Sequence, residues 1–251
     1  KPYGMILVTG PTGSGKSTTL YATLNIVSRP EVNVITVEDP VEYRLAGINQ
    51  VQTNFKAGLT FASALRSILR SDPDIVLIGE IRDHETAQIA VEAALTGHLV
   101  LSTLHTNDAP SAIVRLTEMG IEPFLVGSAL DCVLAQRLAR RLCSKCKEPY
   151  TPTKETLLAN RFPWEDGMEL PTLYRPTGCQ ACAKTGYKGR LALHEVMAVS
   201  EEIEKLTVEH ASSMTIGKVA VEQGMITLRH DGLLKVMSGV TSVEEILRVV
   251  V

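Results

Sequence analysis

Aromatic side chains and long apolar runs are both scarce in this sequence. Phe, Trp and Tyr together make up 4% of the 251 residues, and no apolar run approaches the roughly 18 residues that a membrane-spanning helix needs. Basic residues are not in excess, since the formal net charge is −3. A general basic field that would attract nucleic acid or acidic membranes is therefore absent. These features argue against a membrane-spanning protein and against one that coats nucleic acid.

The rest of the composition is typical of a water-soluble globular protein. Apolar residues make up 45% of the chain and charged residues 21%. The length allows one sizeable core, with or without a small additional domain. The sequence has no initiator Met, and Lys1-Pro2-Tyr3 leads almost directly into an apolar segment. We therefore expect a fragment of a longer cytoplasmic protein, without a signal peptide.

Short apolar runs alternate with segments of helical periodicity from residue 5 to about residue 130. The runs predicted as strands are residues 5–8, 34–37, 75–78 and 99–102, and the predicted helices include Lys16–Ser28, Phe61–Arg70 and Glu85–Leu95. Such alternation favours an α/β fold with a mostly parallel sheet that helices cover on both faces.

A phosphate-binding motif directly follows the first predicted strand. Residues 10–17 match the pattern G-x-x-x-x-G-K-[ST] in full. Glycines let successive backbone N–H groups converge on phosphate oxygens, and the next helix directs the positive end of its dipole at them. Lys16 supplies charge for the β- and γ-phosphates, and the Ser17 hydroxyl can coordinate Mg²⁺. The predicted nucleotide-binding residues are Gly10, Thr12, Gly13, Ser14, Gly15, Lys16, Ser17 and Thr18.

The nucleotide is expected to be ATP rather than GTP. The Asn-Lys-x-Asp signal that specifies guanine in GTPases does not occur in the sequence. The structural alternative to the whole motif is a glycine-rich turn that matches the pattern by chance. The strand before the motif and the helix after it argue against that alternative.

A carboxylate ends the third predicted strand. The segment Asp74–Glu80 is an apolar run with an acid at each end. Ligands of open α/β sheets bind at the carboxyl ends of the strands, and Asp74 would lie about 13 Å from that edge. Glu80 is therefore our candidate for polarising the attacking water or holding it near Mg²⁺. The structural alternative is a surface Glu that caps the next helix.

Other polar residues follow the neighbouring predicted strands. The acidic segment 38–42, which includes Glu42, can supply ligands to Mg²⁺ or water, although solvated loop acids are the default interpretation. His98 and His105 flank the strand 99–102. His105 can hydrogen-bond the γ-phosphate or Glu80 and so report phosphate loss, but a lone histidine is more often structural.

Two arginines lie four residues apart in a predicted helix. Arg66 and Arg70 would share one helix face. They either form surface pairs with acids or supply positive charge to phosphate in an adjacent subunit.

Four of the five cysteines form two Cys-x-x-Cys pairs, Cys143 with Cys146 and Cys179 with Cys182. In a cytosolic protein such pairs more often hold metal than form disulfides. Four thiolates can bind Zn²⁺ in a tetrahedron with no open position, so we expect a structural zinc site, with a redox pair as the alternative. Cys132 lies alone in a segment predicted as an apolar helix, where it would be a small core residue.

Basic residues flank the first cysteine pair. The members of this basic cluster are Arg137, Arg140, Arg141, Lys145 and Lys147. A nucleic-acid patch is one interpretation, but no aromatic side chain interleaves with the cluster. We favour a solvated face or a subunit contact.

Five motifs together resemble the ATPases that power type II secretion and type IV pilus assembly. They are the phosphate loop, the acidic segment 35–43, the atypical strand 74–80, the histidine segment 96–106 and the two cysteine pairs. The five motifs occur in the family's order and extend over nearly the whole chain. Members that export proteins, extend pili or take up DNA share all five motifs, so the resemblance implies a motor of this class and leaves the three machines as alternatives.

The resemblance implies roles for particular residues. Lys16 and Ser17 would bind Mg-ATP, and Glu80 would be the catalytic glutamate. Glu42 and His105 would support the active site, while Arg66 and Arg70 match positions near subunit contacts.

The resemblance also implies an assembly and a division of the chain. Family members are homo-hexameric rings on the cytoplasmic face of the inner membrane, attached to it through an integral platform protein, and no nucleic-acid partner is expected. The predicted parts are a RecA-like P-loop NTPase core (1–141), a tetracysteine zinc-binding subdomain (142–190) and a C-terminal helical subdomain (191–251), with helices at Glu201–Val208 and Ser242–Val249.

One departure from the family pattern concerns the N-terminus. Relatives carry a domain ahead of the ATPase core that closes the nucleotide site and supplies arginines to it. Only nine residues precede the phosphate loop here. We therefore expect this fragment to bind nucleotide but to hydrolyse it slowly and to assemble weakly.

Two other classes of function fit parts of the sequence. A RecA-like nucleic-acid translocase would use the cysteine pairs to grip DNA, and DNA-stimulated ATPase activity would favour it. A nucleotide-gated interaction module would bind ATP without turnover. Substitution of Glu80 by Gln separates that module from a motor, because only a motor has hydrolysis to lose.

Overall fold

The computed structural model describes residues 2–165 and 167–250 of the chain. Lys1, from which the sequence ahead of the phosphate loop was counted, lies outside the described residues. The strands are β1 (Gly4–Thr9), β2 (Val34–Glu38), β3 (Asn49–Gln52), β4 (Ile75–Ile78), β5 (Leu99–Leu104), β6 (Leu130–Leu142), β7 (Glu148–Tyr150), β8 (Leu173–Arg175) and β9 (Tyr187–Ala198).

Ten α-helices occur within the described residues. They are α1 (Lys16–Val27), α2 (Phe61–Ile68), α3 (His84–Leu95), α4 (Pro110–Glu118), α5 (Pro123–Ala129), α6 (Lys154–Ala159), α7 (Glu201–Val208), α8 (Ser213–Glu222), α9 (Leu228–Met237) and α10 (Val243–Val249). In the described part of the chain, no helix has the length and apolarity that would let it cross a membrane.

Contacts group the chain into two compact units. The phosphate-loop unit contains Lys1–Ala135 and Val196–Met225, and the cysteine unit contains Gln136–Glu195 and Ile226–Val251. The division into residues 1–141, 142–190 and 191–251 rests on composition instead of contacts, and it stays a prediction.

The main sheet has seven strands in the order β3-β2-β4-β5-β1-β6-β9. Neighbours from β3 to β6 pair in parallel, with Gly4 opposite Leu99 and Thr9 opposite Leu104 where β1 meets β5. The four predicted strands and their parallel arrangement are confirmed. Near-continuous apolar runs are typical of such a sheet because both of its faces are buried.

The central strand β4 shows how the sheet is covered. All four of its residues are buried. Ile75 and Leu77 belong to a core cluster that includes Leu20 and Leu24 of α1. Side chains alternate along a strand, so Val76 and Ile78 face the opposite side, where they are also fully buried, and α2 and α3 contact strands of the sheet as well. Helices therefore cover both faces, as the sequence predicts.

The helix predicted as Phe61–Arg70 is shorter than expected. Helix α2 ends at Ile68, and residues 69–71 form a 3-10 turn. Asp72 then adopts the left-handed conformation with φ 51°, and Pro73, which cannot continue a helix, follows it. Arg70 consequently lies in the 3-10 turn and not in α2, and the shared face with Arg66 stays a prediction.

The helical prediction around Cys132 is wrong. Cys132 lies in β6, where it pairs opposite Ile6 of β1. The edge of β1 needs a hydrogen-bonding partner, and that tertiary pairing overrides the local helical pattern. The side chain is half-buried, and burial raises the pKa of its thiol.

The second half of the chain is held by short elements with strong helix caps. Strands β7 and β8 form a separate antiparallel pair. The predicted helix Glu201–Val208 is confirmed, and the helix predicted from Ser242 begins at Val243 with Ser242 as its cap. Side-chain oxygens of the cap residues accept N–H groups of the first turns, as in Thr227 before α9.

Candidate nucleotide site and four-cysteine cluster

Four polar segments lie at one edge of the main sheet because the strands before them are parallel. The phosphate loop (residues 10–17) follows β1, and Glu38 is the last residue of β2. Glu80 follows β4 by two residues, and His105 directly follows β5. Carboxyl ends of parallel strands share an edge, which is where open α/β sheets bind ligands.

The phosphate loop has a backbone that glycine allows and other residues resist. Gly10, Gly13 and Gly15 have φ values of 144°, 79° and 90°. Gly15 is the N-cap of α1, and no side chain caps the first turn of that helix. The first turn contains no acidic residue, so no carboxylate of that turn neutralises the positive end of the helix dipole. This arrangement fits an anion such as a triphosphate.

Lys16 curls back over the loop. Its Nζ donates to the carbonyl oxygens of Gly10 at 2.9 Å and Pro11 at 3.2 Å. Ser17 and Thr18 are exposed at the start of α1. The loop therefore presents an ammonium group, two exposed hydroxyls and a helix N-terminus together, which is the set of groups that binds a magnesium-chelated nucleotide.

Glu80 contacts two polar side chains, Arg82 and His105. Its side chain is 13% exposed, its Oε1 forms an ion pair with Arg82, and its Oε2 lies 3.5 Å from Nε2 of His105. The structure thus brings Glu80 and His105 together. The cap of the next helix is Asp83, whose Oδ1 accepts the N–H of Thr86 at 2.8 Å. The alternative role of Glu80 as a helix cap is therefore excluded by the structure.

Arg82 is a site residue that sequence reasoning missed. It lies two residues after Glu80 in the segment that joins β4 to α3. The signal in the sequence was the position of the basic residue Arg82 close to Glu80, the carboxylate that follows strand β4. Its contact with Glu80 depends on the conformation of that segment, which the sequence pattern does not define.

The acidic segment after β2 is built around Glu38. This side chain is 4% exposed, and its carboxylate accepts from Thr36 Oγ1 at 2.5 Å, Gln50 Nε2 at 3.2 Å and the Tyr21 hydroxyl. Burial, followed by the Glu38 carboxylate, raises the pKa of Tyr21 above its usual range. Glu42 is exposed, and its main-chain N–H donates to the Tyr21 hydroxyl at 3.3 Å.

The two candidate interface arginines, Arg66 and Arg70, are exposed in α2 and in the 3-10 turn that follows it. Arg66 Nη2 pairs with Glu85 Oε1 at 2.5 Å, and both side chains are more than half exposed. Arg70 is exposed in the 3-10 turn. A surface pair of this kind contributes little to stability.

The four cysteines of the two pairs meet in the cysteine unit. Their sulfur atoms all lie within 4.8 Å of one another. Separations are 3.9 Å for Cys143 and Cys179, 3.7 Å for Cys146 and Cys182, and 3.8 Å for Cys179 and Cys182. Sulfurs at about 2.3 Å from one tetrahedral metal ion lie about 3.8 Å apart. The cluster therefore fits Zn²⁺.

Backbone N–H groups support the sulfur of Cys182. The N–H of Cys179 approaches it at 3.2 Å and that of Gly186 at 3.3 Å. These bonds, the Cys179 one foremost, lower the pKa of Cys182 to about 6, whereas burial raises the pKa of Cys146 to about 11. The thiolate is the form that binds metal, and a bound cation deprotonates its thiol ligands.

Two members of the basic cluster make contacts inside the cysteine unit. Arg140 pairs with the buried Glu245 at 2.6 Å, and its guanidinium lies 4.2 Å from the ring centre of Tyr187. Lys147 donates to the carbonyl oxygen of Gly239 at 2.7 Å. These two side chains thus stabilise the unit itself.

Comparison with known proteins places these features in one family. Residues 1–248 match the family model described as type II/IV secretion system protein. The chain is 54% identical over 247 residues to the type IV pilus assembly ATPase PilB of Thermus thermophilus. This match covers 98% of this chain and 28% of that protein. It is 52% identical over 252 residues to the type II secretion system protein E of Aeromonas hydrophila, with coverage of 99% and 49%.

A solved structure agrees with the observed fold. The crystal structure of the pilus retraction motor PilT with bound ADP superposes with a TM-score of 0.72 at 28% identity, and the match covers 98% of this chain and 61% of PilT. The chain spans less than half the length of the two curated relatives described above.

Proposed function

The chain belongs to the type II/IV secretion system protein family, and from this we propose that it is the ATP-binding and hydrolysing region of a motor for type II secretion or type IV pilus assembly. The observation that carries the proposal is the meeting of the phosphate loop, Glu80 and His105 at one sheet edge. The names of the relatives, an ATPase of pilus assembly and a secretion protein, support the choice of machine.

The phosphate loop would hold the nucleotide. Lys16 would exchange its contacts with the carbonyls of Gly10 and Pro11 for the β- and γ-phosphates, and the N–H groups of residues 13–18 would donate to phosphate oxygens. The hydroxyl of Ser17 would take part in magnesium coordination. When bound, Mg-ATP supplies the phosphoryl group, and its transfer to water releases the free energy that would drive the motor.

Glu80 would orient the attacking water and accept its proton. The carboxylate is 13% exposed, so few water molecules compete for it. Arg82 and His105 would hold the carboxylate in place before reaction, since both contact it. Glu42 is proposed as a supporting group of the same edge.

The cysteine cluster would hold a structural zinc ion. Cys143, Cys146, Cys179 and Cys182 supply four thiolate ligands, which leaves no position for substrate. The ion would connect two segments of the cysteine unit that are more than 30 residues apart in sequence. Its contribution would be to the folding of this unit.

The assembly that we propose is a homo-hexamer at the cytoplasmic face of the inner membrane. Attachment would be through an integral platform protein, and Arg66 and Arg70 are candidates for the subunit contact. Both arginines are exposed, which supports the proposal that they can contact a neighbouring subunit.

The decisive experiment for hydrolysis uses the full-length protein with Glu80→Gln and, as a control, Glu92→Gln on the exposed side of α3. Loss of the base should lower kcat by about 10²–10⁴-fold while nucleotide affinity stays within twofold. Glu92→Gln should retain wild-type turnover. Equal kcat for Glu80→Gln and wild type would contradict the proposed role.

A further inference from the structure

The hydroxyl group of Tyr21 joins three parts of the phosphate-loop unit. Tyr21 is 1% exposed on α1, and one helical turn separates it from Ser17. Its hydroxyl donates to the carboxylate of Glu38 at the end of β2 and accepts the main-chain N–H of Glu42 at 3.3 Å. One oxygen atom therefore connects the helix of the phosphate loop, the end of β2 and the segment that carries Glu42.

The carboxylate of Glu38 requires this donor. A buried carboxylate is costly unless hydrogen bonds replace its hydration. Tyr21, Thr36 and Gln50 donate to it, and all three are neutral groups. Removal of the phenolic donor would therefore leave a buried charge with weaker support, and the carboxylate would be expected to draw in water or to move.

Side chains also fix the main chain of the acidic loop (residues 39–45), which has no regular secondary structure. Gln52 Oε1 accepts the N–H of Val41 at 3.2 Å, and Gln50 Oε1 accepts the N–H of Leu45 at 2.7 Å. Both glutamines belong to β3. Tyr21 contributes the bond from α1, and its ring packs edge-on against Tyr43 with ring centres 4.6 Å apart.

We propose that Tyr21 is a positioning residue whose hydroxyl ties the acidic loop, and with it Glu42, to the helix that starts at Lys16. The inference rests on the proposed function. It adds Tyr21, which was not among the site residues predicted from the sequence, to the groups that act in that function. Ser17 and Tyr21 lie one helical turn apart on α1, so the hydroxyl positions the acidic loop relative to the residue that would coordinate magnesium. The orientation of catalytic groups contributes a large part of an enzyme's rate acceleration, so loss of this positioning is expected to lower kcat.

The test compares Tyr21→Phe with Tyr3→Phe in the full-length protein. Tyr21→Phe keeps the ring and removes only the bridging oxygen, and Tyr3 is an exposed tyrosine of the same unit. We expect Tyr21→Phe to lower kcat about 10- to 100-fold, with KM and the Kd for Mg-ADP within twofold of wild type. Tyr3→Phe should match wild type.

A double-mutant cycle with Glu42→Gln distinguishes positioning from general damage. If Tyr21 acts through the acidic loop, Tyr21→Phe should change kcat less than twofold in the Glu42→Gln background. Amide hydrogen exchange of the nucleotide-free protein supplies a readout without activity: the N–H groups of residues 41–45 should exchange at least tenfold faster in Tyr21→Phe, while those of β4 stay unchanged.

Each outcome bears on the proposal. Unchanged exchange in the acidic loop, an unchanged kcat, or additive effects in the cycle would overturn it, as would a Kd weakened in parallel with kcat. If wild-type protein shows no ATPase activity, the proposed function fails by itself, and the exchange experiment still decides whether Tyr21 positions the loop.

Discussion

Replacement of Glu245 by Gln should destabilise the cysteine unit more than any surface charge change in it. Glu245 is fully buried in α10, and its two carboxylate oxygens pair with Arg140 and Arg248, each at 2.6 Å. Burial opposes the charge, but the bonds from Arg248 and Arg140 outweigh it and lower the pKa of Glu245 from 4.5 to about 2.

The magnitude follows from that pKa. A shift of this size corresponds to about 3 kcal/mol of stabilisation. Both arginine side chains are about half exposed, at 46% and 56%, so water screens part of the attraction, and we expect a loss of about 2 kcal/mol. Because the folded-state pKa lies below the unfolded value, the contribution is complete above pH 4.5 and is lost as the pH falls towards 2.

The assay is urea unfolding of zinc-loaded protein followed by tryptophan fluorescence. Trp164 is the single tryptophan of the sequence, is 7% exposed, and lies in the cysteine unit, so its emission reports on that unit. The matched control is Glu148→Gln, which breaks the exposed pair with Arg175 and should cost less than about 0.5 kcal/mol. A loss for Glu245→Gln that equals the control at pH 7, or that is as large at pH 3 as at pH 7, would refute the reasoning.

The remaining predictions also concern the cysteine unit. A strong chelator should release about one Zn²⁺ per chain and shift the Trp164 unfolding transition to lower urea; protein purified under reducing conditions that contains no zinc would contradict the site. Gly186→Ala should destabilise the unit by more than about 1 kcal/mol, because φ is 76° and the added Cβ would lie 2.4 Å from Cβ of Pro176. Gly189→Ala is its control, since φ is a similar 81° but no atom lies within 4 Å; equal losses in the two variants would show that the clash is irrelevant.

Four strands of the main sheet, β1, β2, β4 and β5, were predictable because burial on both faces leaves a plain sequence signal. Residues 75–78 are apolar throughout, and β4 is buried throughout. A strand whose conformation depends on pairing with a neighbouring strand leaves no such signal. Strand β6 is an example, because the sequence around Cys132 has a helical pattern but pairs in parallel with β1 in the structure. The end of α2 depends in the same way on the left-handed conformation of Asp72.

The site divides along a similar line. Glu80 and His105 could be paired from sequence because each follows a parallel strand, and such strand ends share an edge. Arg82 and Tyr21 could not, since their contacts depend on a segment without regular structure and on a side chain inside a helix. The cysteine spacing predicted a four-ligand cluster, but the sulfur separations that fit a tetrahedron come only from the fold.

Nucleotide affinity of the chain described here tests the central claim most directly, by calorimetric titration of Mg-ADP into wild type, Lys16→Ala and Lys56→Ala. Lys56 is an exposed lysine in the 3-10 turn of residues 55–57 and serves as the charge-matched control. Loss of a charged hydrogen-bond donor to phosphate costs about 1.5–3 kcal/mol, so Lys16→Ala should bind about 10- to 100-fold more weakly, with Lys56→Ala unchanged. Equal affinity of Lys16→Ala and wild type would contradict the claim that this loop binds the phosphates.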